Sequence, residues 1–166
     1  MTIPIEEVWL NRKVVKVVLK GAKDRPGIAA EIFELLASWG INAQLIVAGS
    51  GSKGRVDIAF LVLESDYLKL KDKQEELCSQ VDAKGIKYEP KVALFVLYGD
   101  KTLSRRPGIA AKIFDIFAQS GINIEMVSAS VDAISIVIPE DRVDDAYMVL
   151  QDTLGLDIIE GFGYED

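Results

Sequence analysis

The chain is predicted to be an α+β protein made of two ferredoxin-like βαββαβ units packed together. Three observations predict it. A stretch occurs twice, PGIAAEIFELLASWGIN at 26–42 and PGIAAKIFDIFAQSGIN at 107–123, with eleven of 17 positions identical at a constant offset of 81. Such a repeat in a chain of 166 residues is one small domain written twice. Around each copy, β-prone runs alternate with helical runs and a tight hairpin sits in the middle, the order of a split βαβ unit.

The elements follow in order. Residues 3–10, IPIEEVWL, form a strand, and Val14–Lys20 is a β-branched strand of its own. Residues 21–25 are a loop, and a helix follows to Trp39 with Ile28, Ile32, Leu35, Leu36 and Trp39 on one buried face. Pro26 suits the first turn of this helix, where a missing N–H costs nothing. Gly27 lets a second body approach the backbone closely, and Gly40 ends the helix as a left-handed C-cap. Ile41–Ala48 and Val56–Leu63 are strands joined by the hairpin loop GSGSKGR at 49–55. Ser65 caps a helix over Asp66–Ala83 with Leu70, Leu77 and Val81 inward, and Gly85 stops it. Ile86–Glu89 is a short fourth strand.

The second copy starts with no linker. Lys91–Tyr98 is a strand, 99–106 a loop, and Pro107–Ser120 a helix that begins at Pro107 and Gly108. Its inward residues are Ile109, Ile113, Ile116 and Phe117, and Gly121 is its C-cap. Ile122–Ser128 and Ala133–Ile138 are strands, Pro139 ends the sheet, and Glu140–Leu154 is a helix with an acidic first turn. The units are therefore expected at 12–90 and 91–166. Their open edges and bare faces predict a homodimer.

Composition excludes several classes. The net charge of −7 falls wholly on residues 91–166, which carry 6 basic and 13 acidic side chains, against 13 of each in residues 1–90. An acidic chain with no basic stripe argues against nucleic acid as a partner. No apolar run reaches the ~20 residues of a membrane span, and the first ten residues do not read as a signal peptide. Cys78 stands alone, which excludes an internal disulfide and suits a reducing, cytoplasmic setting. Without histidine there is no imidazole base and no His-ligated metal. GSGSKGR departs from the phosphate-binding loop pattern and joins two strands. The run Glu140, Asp141, Asp144, Asp145 is a solvated, dipole-matched helix face. No catalytic residue, metal or cofactor is expected. The Gly-flanked helix starts do offer free N–H groups and a positive dipole end to an anion.

The segments GAKDRPGIAAEIFELLASWGIN, GRVDIAFLV, SRRPGIAAKIFDIFAQSGINIEMVSAS and ISIVIPEDRVDDAYMVLQDTLGL carry a resemblance. Over nearly its whole length the chain resembles the tandem ACT-domain regulatory region of aspartokinase. Lacking the kinase domain that normally precedes it, the chain resembles a β-type regulatory subunit, a separate regulatory fragment or a free amino-acid sensor. The resemblance implies lysine, threonine or both as ligand, a possible aspartokinase catalytic subunit as partner, and ligand sites between paired ACT units. The matching positions are Asp24, Pro26, Gly27, Ile28 and Ala29 with Asn42 and Ala43 in the first copy. In the second they are Arg106, Pro107, Gly108 and Ile109 with Asn123, Ile124, Glu125 and Met126. A zwitterion needs donors for its carboxylate, which a helix start offers, and acceptors for its ammonium, which Asp24 and strand carbonyls offer. The stronger site is expected at Asp24, walled across a unit interface by Asn123 and Ile124, because the offset of 81 places Arg105 opposite Asp24 in the second copy. The resemblance also implies that the first unit is inserted into the second, so that Glu6–Leu10 completes the second sheet; the thin tail after Leu154 motivates the same reading. Ala48-Gly49 stands where the family has Gln-Asn, and Ser128-Ala129-Ser130-Val131 where it has Ser-Thr-Ser-Glu. Both changes remove polar groups near the expected interface, and a ligand-free ACT module that only dimerises or holds a partner enzyme stays open as a second reading.

Overall fold

The computed structural model describes residues 3–161. Seven strands and four α-helices follow in the order β1 (Ile5–Lys23), α1 (Ile28–Ser38), β2 (Ala43–Ser50), β3 (Arg55–Leu63), α2 (Glu64–Gln80), β4 (Gly85–Gly99), α3 (Ile109–Gln119), β5 (Met126–Ala129), β6 (Ala133–Pro139), α4 (Val143–Leu154) and β7 (Ile158–Glu160). Short 3₁₀ turns at Leu103–Arg105 and Glu140–Arg142 precede α3 and α4.

The chain divides into two compact units. The first is Lys13–Pro90, and the second joins the N-terminal residues through Arg12 to Lys91 and onward. In the first unit the strand order is β2-β3-β1-β4, with β3 antiparallel to both β1 and β2. Strand alternation turns Val15, Val17 and Leu19 of β1 and Ile58, Phe60 and Val62 of β3 to one face. That face packs on Ile28, Ile32 and Leu36 of α1 and Leu70 and Leu77 of α2. In the second unit the order is β1-β4-β6-β5, with β7 pairing β1. Its core joins Val8 and Leu10, Phe95 and Leu97, Ile134, Ile136 and Ile138 to the inner faces of α3 and α4. The parallel pair Val8 with Ile158 adds the short β7 beside the N-terminal part of β1.

Several elements differ from their sequence reading. β1 is one strand, where two were expected, and its polar Asn11-Arg12-Lys13 does not break it. Leu10 serves the second core and Val15 the first, so apolar anchors hold the strand on both sides of that segment. β4 runs unbroken through Pro90, so the expected boundary between the units does not interrupt the strand. α2 starts at Glu64, so Ser65 lies inside it, and no side chain caps it. It ends before the buried Val81, and Gly85 already belongs to β4. β5 begins only at Met126; Ile122 and Ile124 pack on the core from the preceding loop.

The helix ends behave as the repeat predicts. Gly40 and Gly121 have φ of 71° and 68°. In α1 the Gly40 N–H donates to the Ala37 carbonyl at 3.0 Å and the Ile41 N–H to Leu36 at 2.9 Å. In α3 Gly121 donates to Ala118 at 3.0 Å and Ile122 to Phe117 at 2.9 Å. This is the same Schellman closure twice, with glycine supplying the left-handed residue.

Candidate functional site

The two helix starts share one backbone. Gly27 and Gly108 hold φ of 86° and 88° and immediately precede α1 and α3. A Cβ at either position meets nothing within 4 Å. Glycine is needed there for the left-handed φ, and the space beside it is open on the chain's own side. Pro26 and Pro107 lie before the glycine, outside the first helical turn where they were expected. Ile28 and Ile109 are buried and anchor the first turn in each core. No side chain caps either helix. Among the described residues, the amides of Ala29 and Ala30, and of Ala110 and Ala111, have no hydrogen-bond partner, which leaves donors at the positive end of each helix.

The loops leading into these turns differ. Asp24 follows β1 directly, and its N–H donates to the Gly54 carbonyl at 2.8 Å. Its side chain is exposed and does not cap α1. Among the described residues no group pairs with the Asp24 carboxylate; the neighbouring Arg25 pairs with Glu31 instead. In the second unit residues 100–108 separate β4 from α3. Asp100 is the first residue past the strand, and its carboxylate accepts from the Thr102 N–H at 2.7 Å and from the Thr102 hydroxyl. Those bonds hold the Asp100 carboxyl below its usual range. Leu103 inserts into the core, while Arg105 and Arg106 stay exposed. Asp100, like Asp24, is thus the first residue past its strand, whereas the constant offset matches Asp24 to Arg105, inside the longer loop.

The strand half of the predicted set lies elsewhere. Asn42 and Asn123 are exposed just past the Schellman turns. Ala43 opens β2 opposite Val62. Ile124 packs on the second core, the Glu125 N–H donates to Val137 at 2.7 Å, and the buried Met126 opens β5 opposite Val137. α1 has 11 residues, about 16 Å of helix. Asp24–Ala29 sit at its N-terminal end and Asn42–Ala43 beyond its C-terminal end. The same holds for Arg106–Ile109 and Asn123–Met126 about α3. Within one unit the two halves of the set do not meet.

Three features near these ends escaped sequence reading. Arg142, from the turn before α4, donates to the carbonyls of Gly121 at 2.9 Å and Ser120 at 2.8 Å. Lys69 of α2 reaches the Gly40 carbonyl at 3.4 Å. Each unit thus places a cation at the negative end of its first helix, from a residue distant in sequence. On β2, Leu45 has φ of 51° inside a register shift between Gln44 and Val47. The Nε2 of Gln44 is buried there with no hydrogen-bond partner among the described residues, an arrangement that costs free energy.

The duplicated glycine-led helix start on a βαββαβ frame is matched by the family model for the ACT domain, over residues 15–69 and again over 99–154. The chain belongs to the ACT-domain family. The aspartokinase of Helicobacter pylori (strain ATCC 700392 / 26695) is 31% identical over 153 residues, which are 92% of this chain and 37% of that protein. The chain thus spans under two fifths of that relative's length. The regulatory subunit of aspartate kinase from Thermus thermophilus, in its ligand-free form, superposes with a TM-score of 0.81 at 28% identity, over 90% of this chain and 98% of that one. A chain from the structure of aspartokinase alpha and beta subunits gives a TM-score of 0.81 at 27% identity, over 92% of this chain and 99% of that one. The two ACT units are therefore homologous to aspartokinase regulatory subunits. Among the described residues, no helix is long and apolar enough to cross a membrane.

Proposed function

We propose that this protein is an amino-acid-binding regulatory module that acts on an aspartokinase catalytic chain in the cytoplasm, with threonine, lysine or both as effector. The observation that carries the reading is the pairing, in the first unit, of unpartnered helix-start amides with the unpaired carboxylate of Asp24. A ligand carboxylate is drawn to the amides of Ala29 and Ala30, and its ammonium to Asp24. Asn42 and Ala43 stand a helix length away, so a closed pocket needs a strand start from another ACT unit.

A second copy of the chain is the partner we assign to that role. β2 is an edge strand, its sequence AQLIVAGS carries no charge, and Ile46 and Val47 are exposed on it. An uncharged apolar edge favours pairing with another strand, and a stable dimer would bury at least ~1,000 Å². The separate subunits of the aspartokinase structure above support a catalytic chain as a further partner. The second reading, a ligand-free dimerisation or interaction module, is favoured by the apolar Ala48, Ala129 and Val131 where the family carries polar groups. Calorimetry with threonine and with lysine separates the two. Heat that weakens in Asp24→Asn supports the regulatory site; no heat with either amino acid leaves the interaction module.

A further inference from the structure

We infer that Arg55 and Asp57, two residues of β3, are positioning residues for the Asp24 half-site; the inference rests on the function proposed above. β1 is irregular just before Asp24, with a register shift between Leu19 and Ala22 against β3. Gly21 sits inside the shift with φ of 60°. A bulged residue leaves the ladder, and its backbone groups then need other partners. Both find side chains of β3. The Gly21 N–H donates to Asp57 Oδ1 at 2.8 Å, and the Gly21 carbonyl accepts from Arg55 Nη1 at 3.2 Å.

The clamp is anchored behind and in front. Arg55 also bonds the Asp82 carbonyl and pairs with the Asp82 carboxylate at 3.2 Å, on the turn after α2. Lys20 reaches Asp57 at 3.4 Å, the Lys84 N–H donates to the Lys20 carbonyl at 2.8 Å, and the Lys23 N–H to Val81 at 3.2 Å. The last tie is the Asp24 N–H on Gly54, the residue next to Arg55. Asp24 thus leaves the sheet from a backbone held by β3 side chains, three residues upstream, and by the β2–β3 turn. The second unit has no such clamp among its described residues. Ile134 faces Leu97 as Ile58 faces Leu19, so Val131 and Ala133 stand where Arg55 and Asp57 do, and the Gly99 N–H bonds the Asp132 carbonyl instead. The clamp belongs to the unit whose carboxylate is free.

The test uses the full chain and whichever of threonine or lysine binds it. Arg55→Met is expected to weaken binding on the order of tenfold, and Asp57→Ala similarly, while Asp57→Asn, which keeps an acceptor for the Gly21 N–H, restores most of the affinity. In an Asp24→Asn background Arg55→Met should add no further loss, because it acts through Asp24. A merely structural role would give additive losses, and that result overturns the inference. Parent-like binding by Arg55→Met, with Asp24→Asn weakened, also overturns it and leaves the proposed function standing. If neither amino acid binds the parent, the function reading fails. Amide exchange then decides the clamp by itself: faster exchange at Asp24 and Gly21 in Arg55→Met supports it, and unchanged exchange overturns it.

Discussion

The two ACT units enter their first helices through the same PGIAA turn, with φ at the glycine agreeing within a few degrees, yet they arrive there by different routes. The first unit crosses from β1 to α1 in residues 24–27, and the second takes residues 100–108 and folds a 3₁₀ turn over the buried Leu103. Each route begins with an aspartate. Asp24 keeps an unpaired carboxylate; Asp100 is engaged by Thr102. The helix start is a local structure, so its backbone survived duplication unchanged. The chemistry beside it depends on loop length, which diverged. Two sites equal in motif are therefore unequal in the acceptor they offer a ligand.

The comparison breaks most severely at the N-terminus. Ile5, Val8 and Leu10 are buried in the second core, and full burial of each such side chain contributes roughly 1.5–3 kcal/mol. Deleting residues 1–11 is expected to unfold the second unit while the first keeps its structure. Amide NMR reads this directly, and dispersed signals from both units in the truncated chain would contradict it. Next is the ligand. Asp24→Asn should cost roughly 1.5–3 kcal/mol of binding, ~10- to 150-fold in affinity, with the melting temperature little changed. Asp100→Asn keeps its turn acceptor and should change affinity less than about twofold. Equal losses in calorimetry would show that loop length does not distinguish the units.

The glycines sharpen the comparison from the other side. Gly27→Ala and Gly108→Ala should each destabilise by about 1–2 kcal/mol, the cost of a left-handed φ. The two costs should agree, since neither new Cβ meets a neighbour. Unequal denaturant midpoints would mean that surroundings, not φ, set the requirement. The smallest effect is alkaline and confined to the first unit. Burial chiefly, with Tyr67 and Cys78 beside it, pushes the Tyr88 phenol from 10.0 up to about 12. The folded value lies above the unfolded one, so the stabilisation is present below pH 10 and is lost as pH rises through about 12. Tyr88→Phe should flatten that loss in chemical denaturation measured across this range. An unchanged slope would remove Tyr88 as its cause.

Much of each unit was legible because it is local. The apolar spacing of Ile28, Ile32 and Leu36, and of Ile109, Ile113 and Phe117, marks each buried helix face. Gly40 and Gly121 close the helices through bonds that span five residues. Interactions of this range are written in consecutive residues, which is why the sequence alone carries the repeat and the resemblance.

What only the tertiary structure decided depends on partners far along the chain. Asn11-Arg12-Lys13 and Pro90 look like breaks, but strands draw their stability from neighbouring strands, and β1 and β4 continue through them. The cations at the ends of the first helices come from Lys69 and Arg142. That Asp100, like Asp24, opens its loop is decided by where the strand ends, not by an identity match. The separation of Asp24 from Asn42 was equally hidden: adjacent motifs in sequence stand at opposite ends of α1, since a helix carries its termini about 1.5 Å further apart with every residue.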